Sequence, residues 1–182
     1  MEVLPAPLEW ILLGLLLAGL ATVYLTWTAG RVDRMHNRVA AARAVLDAQL
    51  LRRSGAALEL ATSGLLDPAS SLVLADAAHQ ARAVSPEGRE QAESDLTDAL
   101  RLALPEPEHV VRLRAEPGAA ALLDELAAAC RRVEHARRFH NDAVRTTRRL
   151  RRKLVVRRLG LAGRAEWPES VELDDARPPG LG

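Results

Sequence analysis

The chain has 182 residues, with 25 Lys and Arg against 24 Asp and Glu, 48% hydrophobic residues, 3% aromatic residues and one cysteine. This balance excludes a charge-driven disordered chain and a uniformly basic nucleic-acid-binding protein. The lone Cys130 excludes an internal disulfide framework and a cysteine-cluster zinc site, and the scarcity of aromatic residues favours helices over strands.

Residues 10–29 contain neither a charged residue nor a proline. A helix of this length spans roughly 30 Å, which is the thickness of the hydrocarbon core of a bilayer. Trp10 lies at one end of the segment, and Tyr24 and Trp27 lie near the other, where amphipathic rings prefer the two interfaces. We therefore predict a transmembrane helix at 10–29, preceded by a short extracytoplasmic segment at 1–9.

The charges on either side of this segment predict its orientation. Glu2 and Glu9 precede it without any Lys or Arg, whereas Arg31, Arg34 and Arg38 follow it. A cleaved signal peptide needs a positively charged start, which is missing here. The positive-inside rule predicts an uncleaved single-pass anchor in the cell (inner) membrane, with the N-terminus outside and the remaining chain in the cytoplasm.

Small residues recur at every fourth position of the predicted anchor, at Gly14, Ala18 and Thr22. A stripe of small residues allows two membrane helices to approach closely. The stripe is therefore a candidate packing face for a second membrane helix.

The region 30–158 is predicted to form a cytoplasmic, antiparallel bundle of about four helices. Apolar spacing and the Asp67-Pro68 and Ser85-Pro86 start signals delimit the first three helices, at 31–64, 68–84 and 86–104. Residues 108–117 are ambiguous and could form one helical turn. The fourth helix carries an apolar seam about nine turns long, from Leu122 to Leu154, and ends at Gly160 and Gly163. The remaining residues, 159–182, are acidic and rich in Pro and Gly, and predict a flexible tail.

Several stretches of this bundle resemble the LemA family of bacterial membrane-anchored helical proteins. The resemblance is sharpest at Ala136–Val144, whose motif residues are Arg137, Arg138, Phe139, His140, Asn141, Asp142 and Val144. Weaker similarity covers Asn37-Arg38-Val39, Gln49–Arg53, Ala81-Arg82 and Asp95–Leu100. The resemblance implies a single-pass anchor followed by an antiparallel bundle, and it implies no catalytic residues. The chain departs from the family at His140, where Tyr is usual, and at Thr146–Arg149, which continue a basic helix in place of a turn and a proline.

No catalytic or cofactor-binding motif is present in the sequence. The only Glu-x-x-His pair, Glu106 and His109, is interrupted by Pro107, and Cys130 falls on an apolar seam. We therefore expect no enzymatic activity, no metal or other cofactor and no small-molecule substrate. His140 lies on the predicted buried seam, where it is either a hydrogen-bonded structural residue or a pH-sensitive switch.

Charge is concentrated in two regions of the chain. Residues 86–108 carry seven acidic against two basic side chains, and residues 131–158 carry twelve basic against two acidic ones. The last part of the basic region contains Arg145, Arg148, Arg149, Arg151, Arg152, Lys153, Arg157 and Arg158. This cluster could pair with the acidic third helix and otherwise face water, bind anionic lipid if the fourth helix returns to the membrane, or bind nucleic acid.

These observations favour a scaffold or adaptor at the membrane, with the basic cluster contacting anionic lipid or a partner protein. The protein partner could be a second copy of the chain. Alternatively, the chain is a regulatory accessory subunit of a membrane enzyme or transporter, held through its transmembrane helix. A membrane-tethered nucleic-acid-binding protein is the weaker alternative, because stacking aromatic residues and a base-reading motif are missing.

Overall fold

The computed structural model describes residues 6–163 and 165–181, with side chains from residue 10 onward. Within these residues the chain is helical and contains no strand, which confirms the predicted all-α class. The α-helices are α1 (Ala6–Thr62), α2 (Pro68–Ala83), α3 (Arg89–Ala103), α4 (Pro107–Arg114), α5 (Ala119–Arg151) and α6 (Leu154–Arg158). Residues 1–5 of the predicted extracytoplasmic segment lie outside the described residues.

The longest element, α1, joins the predicted membrane segment and the first bundle helix without a break. No proline occurs between Pro7 and Pro68, so no backbone N–H is lost along its length. The helix ends before Gly64, whose φ of 78° is readily adopted only by a residue without a Cβ. Asp67 then starts α2, because its carboxylate accepts hydrogen bonds from the N–H groups of Ala69 and Ser70, both at 3.0 Å.

Two short helices extend the predicted four. The ambiguous region forms α4, which is two turns long, and the end of the predicted fourth helix forms the separate α6. The expectation of one unbroken fourth helix was therefore wrong: α5 ends at Arg151, and Lys153 has an extended backbone with ψ of 135°. The break allows Val156 to be buried. Gly160 and Gly163, both with positive φ, follow α6.

The predicted single bundle divides into two compact units. The first unit comprises the described part of Met1–Ala40 together with Ala143–Pro168. Its core contains Val32 of α1, Leu150 of α5 and Val156 of α6. The Thr147 hydroxyl also lies 3.4 Å from the Met35 carbonyl oxygen, so α5 runs antiparallel to α1 within this unit.

The second unit comprises Ala41–Asp142 and the described part of Glu169–Gly182. Its main core is built from Leu and Ala side chains of α1, α2, α3, α4 and α5. Burying each Leu side chain stabilises the fold by about 1.5–3 kcal/mol, which is how a core with almost no aromatic residues is maintained.

The C-terminal segment differs from the expected flexible tail. Val171 and Leu173 pack against Leu46 and Leu50 of α1 and against Val133 and Ala136 of α5, whereas Glu172 between them and Asp174 after them are exposed. Leu181 enters the main core, and a Cβ on Gly180 would lie 2.3 Å from Val110 Cγ2. Alternating burial of this kind is the signature of an extended segment, and the Pro and Gly residues that predicted disorder instead permit its close packing.

Candidate membrane-interface site

The N-terminal part of α1 presents apolar side chains all around its circumference. Trp10 is 71% exposed and Trp27 is 57% exposed, and the large aliphatic residues between them are exposed as well, except the partly exposed Leu25. A contiguous apolar surface of this size is rare on a protein surrounded by water. This part of α1, with a mean hydropathy of 1.9, is long and apolar enough to cross a membrane.

The basic end of α5 returns to the end of this apolar stretch. Within the first unit, Leu150 and Val156 pack in one cluster with Val32 and with the partly buried Met35. The polypeptide around the α5–α6 break therefore lies beside the part of α1 that immediately follows residues 10–29.

A cavity of about 230 Å³ lies between α1 and the α5–α6 break. It is lined by Tyr24, Trp27, Thr28 and Arg31 of α1 and by Leu150, Lys153, Leu154, Val155 and Val156. The Arg31 guanidinium lies 5.7 Å from the centroid of the Trp27 ring, a cation–π contact. The Thr28 hydroxyl donates to the Tyr24 carbonyl oxygen at 2.8 Å, so it is already satisfied by its own helix.

Two members of the predicted basic cluster donate hydrogen bonds to the backbone of residues 165–168. Arg148 Nε donates to the Pro168 carbonyl oxygen at 2.7 Å. Arg151 donates to the carbonyl oxygens of Glu166 and Ala165 at 2.5 and 3.0 Å, and its guanidinium lies 4.9 Å from the Trp167 ring centroid. These two arginines hold residues 165–168 against α5.

The other members of the cluster face outward. Arg145 is exposed on α5. Five further side chains are exposed and have no acidic partner among the described residues, namely Arg149, Arg152, Lys153, Arg157 and Arg158. Exposed apolar residues accompany them on α6, where Leu154 and Val155 are exposed, and on Leu159 just beyond it. The surface around α6 therefore combines positive charge with apolar side chains.

The acidic third helix forms its ion pairs with other arginines. Glu93 pairs with Arg53, and Asp98 pairs with Arg101 at 2.9 Å. All four residues belong to the second unit.

The stripe of small residues in α1 is exposed in the structure. All three residues, Gly14, Ala18 and Thr22, are exposed, and a Cβ on Gly14 would meet nothing within 4 Å. The Thr22 hydroxyl donates to the Ala18 carbonyl oxygen at 2.8 Å, within the same helix. The face is open to a neighbouring helix, and its use as a packing face stays a prediction.

The motif at Arg137–Val144 binds the C-terminal segment. Arg137 donates to both carboxylate oxygens of Asp175, at 2.7 and 2.9 Å, and this hydrogen bonding raises the pKa of the arginine. The buried His140 places Nε2 3.2 Å from the Glu169 carbonyl oxygen. The Asn141 side chain donates a hydrogen bond to the Val171 carbonyl oxygen and accepts one from the Val171 N–H. The clearest role of this motif is therefore structural.

The remaining motif residues do not share these contacts. Phe139 and Asp142 are exposed, Val144 is fully buried in the first unit, and Arg138 forms an ion pair with Glu134 on its own helix. The motif thus does not gather into one chemical site.

Sequence reasoning missed a buried polar network in the second unit. Arg53 donates to the Glu93 carboxylate at 2.7 Å and to the Thr97 hydroxyl at 3.0 Å, with the Arg53 and Glu93 side chains only 2% and 1% exposed. Burial raises the pKa of Glu93, and the Arg53 guanidinium opposes that rise. Arg53 follows the buried Leu46 and Leu50 at helical spacing, so the apolar seam itself could have revealed its burial.

The described residues contain no group of three His, Cys, Asp or Glu side chains suited to a metal ion. Cys130 is buried, and its burial raises the pKa of the thiol. No family model and no curated protein sequence matches the chain.

Proposed function

We propose that the chain is a single-pass membrane protein that acts as a non-enzymatic scaffold or adaptor. In this proposal residues 10–29 cross the cell membrane with the N-terminus outside, and the helical region lies in the cytoplasm. The main support for this proposal is that Trp27 and Lys153 line the same cavity. This cavity brings the end of the apolar segment next to the basic cluster. The resemblance to the LemA family supports the same arrangement.

Electrostatics explains how such a protein would hold its cytoplasmic region at the bilayer. Each basic side chain near an anionic surface contributes on the order of 1 kcal/mol, and salt screens the attraction. The exposed Arg149, Arg152, Arg157 and Arg158 have no acidic partner within the described residues to neutralise them. The neighbouring Leu154 would enter the interfacial region beside them, as the apolar face of an interfacial helix does.

Insertion and orientation are tested first, in intact cells. The chain should remain in the membrane after extraction with alkaline carbonate. In a Cys130→Ala background, a membrane-impermeant maleimide should label Leu8→Cys from outside and should label Leu72→Cys only after the cells are opened. Extraction of the chain, or labelling in the reverse order, would contradict the proposal.

The lipid contact is tested with the full chain in bilayers. Spin-labelled phosphatidylglycerol should associate with the protein more strongly than spin-labelled phosphatidylcholine, and the preference should weaken with salt. Replacing Arg149, Arg152, Arg157 and Arg158 by Gln should remove most of this preference. The matched control replaces four exposed arginines of the second unit, Arg52, Arg82, Arg112 and Arg131, by Gln and should retain it. An equal loss in both variants would show unspecific attraction by net charge. Arg148 and Arg151 are left intact because they hold residues 165–168.

A second candidate function is favoured by the open stripe on α1. A regulatory subunit of a membrane enzyme or transporter would contact its partner through Gly14, Ala18 and Thr22, where small side chains allow close helix approach. Replacing Gly14 and Ala18 by Ile should abolish crosslinking to a partner within the membrane without affecting lipid preference. Unchanged crosslinking would remove this candidate.

A further inference from the structure

We propose that the cavity between α1 and the α5–α6 break binds the headgroup of one anionic glycerophospholipid. This inference rests on the proposed membrane span and goes further, because it replaces a diffuse charged surface by one site of defined stoichiometry. The phosphate would lie between Arg31 and Lys153, which line the cavity from α1 and from the break respectively.

The cavity is lined by two positively charged side chains. Arg31 and Lys153 are both exposed, and neither has an acidic partner in the described part of the chain. Arg31 makes a cation–π contact with Trp27 and no hydrogen bond within the described residues, which leaves its N–H donors available for phosphate oxygens. No acidic side chain lines the cavity. Two cations with no acidic partner among the described residues, around a cavity of about 230 Å³, match a phosphate headgroup in both charge and size.

One face of α1 runs from the predicted membrane span to the cavity. Leu17, Leu20, Tyr24, Trp27 and Arg31 follow one another at spacings of three and four residues, so they lie along one face of the helix. Leu17 and Leu20 are both more than half exposed. The face therefore changes from aliphatic to aromatic to cationic over about four turns. This order matches the acyl chain, glycerol region and phosphate of a phospholipid, and a free phosphate ion would use only its last position.

The cavity lies at the end of the proposed membrane span, where the bilayer interface would be. Tyr24 and Trp27 stand at the end of the apolar segment, where aromatic side chains favour the bilayer interface. Leu154 and Val155 line the opposite wall and add apolar surface at the same level. A lipid held there would bridge α1 and the α5–α6 break, and it would couple the anchor to the basic end of α5.

The test uses quenching of Trp27 fluorescence in the full chain. In a Trp10→Phe, Trp167→Phe background solubilised in a zwitterionic detergent, phosphatidylglycerol with brominated acyl chains is titrated into the micelles. We expect saturable quenching with one lipid per chain. Brominated phosphatidylcholine should quench only weakly and without saturation. Inorganic phosphate should neither quench nor compete at matched concentration.

Charge variants decide whether the site is specific. Replacing Arg31 and Lys153 by Gln should weaken phosphatidylglycerol binding about 30-fold, as expected for two cations at a lipid phosphate. The control variant, with Arg52 and Arg112 replaced by Gln, loses the same charge from the second unit and should bind as the parent does. Lys153→Arg, which keeps the charge, should also bind, and this variant excludes a loss caused by misfolding.

Three results would overturn the proposal. Equal weakening in the two double variants would show attraction by net charge alone. Equal quenching by both lipids would show solvation by any lipid, and competition by inorganic phosphate would show an ion site. Because the titration is made in detergent, its failure is distinct from carbonate extraction of the chain, which would contradict the membrane span itself.

Discussion

Asn141 on α5 and Val171 in the C-terminal segment exchange two hydrogen bonds. The Asn141 amide nitrogen donates to the Val171 carbonyl oxygen at 3.0 Å, and the Val171 N–H donates to Asn141 Oδ1 at 2.9 Å. The side chain thus satisfies a buried, extended backbone in the way that a neighbouring strand would. This contact explains how a segment without regular secondary structure remains attached to the helices.

Replacing Asn141 by Ala should loosen the C-terminal segment. Both hydrogen bonds are lost and the Val171 backbone is left without partners, at a cost of about 1–3 kcal/mol for each buried group. Hydrogen exchange measured by mass spectrometry should become faster in peptides that cover residues 169–176. The control Asn37→Ala changes an exposed asparagine of α1 and should leave exchange there unaltered. Undiminished protection in Asn141→Ala would show that apolar packing alone holds the segment.

Removing one partner of the buried Arg53–Glu93 pair should destabilise the second unit strongly. Glu93→Leu leaves an uncompensated buried guanidinium, which costs about 3–5 kcal/mol. For a chain of this size that corresponds to a fall in the midpoint of thermal unfolding of roughly 10 °C, followed by circular dichroism. The double variant Arg53→Met, Glu93→Leu removes both charges and should recover much of the loss. A single variant as stable as the parent would contradict the structural role of the pair.

Asp174 should make stability depend on pH in the acid range. The Ala176 N–H and the Arg101 guanidinium, at 2.7 Å, lower the pKa of its carboxyl. A carboxyl with a lowered pKa in the folded state stabilises the fold above its unfolded pKa of about 3.9, and this contribution disappears as pH falls through the folded pKa. The parent should therefore unfold at a higher temperature than Asp174→Asn at pH 7, and the difference should shrink as pH falls below about 3.9 and vanish once pH is below the folded pKa. A difference independent of pH would refute the linkage.

Periodicity in the sequence predicted the helices well but not the contacts between distant segments. The uncharged run at 10–29, the Asp67 cap and the seam of α5 each depend on local spacing, and the structure contains the corresponding helices. The break at Lys153 could not be predicted, because its cause is the burial of Val156 beside Val32, more than 120 residues away in the chain.

The candidate site was predicted only in part. Composition identified the basic cluster, but it could not separate Arg151, which contacts Trp167, from the outward-facing Arg152. That distinction depends on where residues 165–168 lie, and their composition predicted a flexible tail. The cavity is lined by both Trp27 and Lys153, which are far apart in the chain, so no local sequence pattern could predict it.

The depth of residue 155 in a bilayer tests the central claim most directly. A spin label on Val155→Cys, in a Cys130→Ala background of the full chain in vesicles containing phosphatidylglycerol, reports its accessibility to oxygen and to a water-soluble nickel complex. Leu20→Cys provides the deep reference and Val111→Cys the aqueous one. We predict that the label at position 155 lies near the level of the lipid phosphates, between the two references. A label at position 155 as accessible to the nickel complex as the one at position 111 would contradict a membrane-interface site at the α5–α6 break.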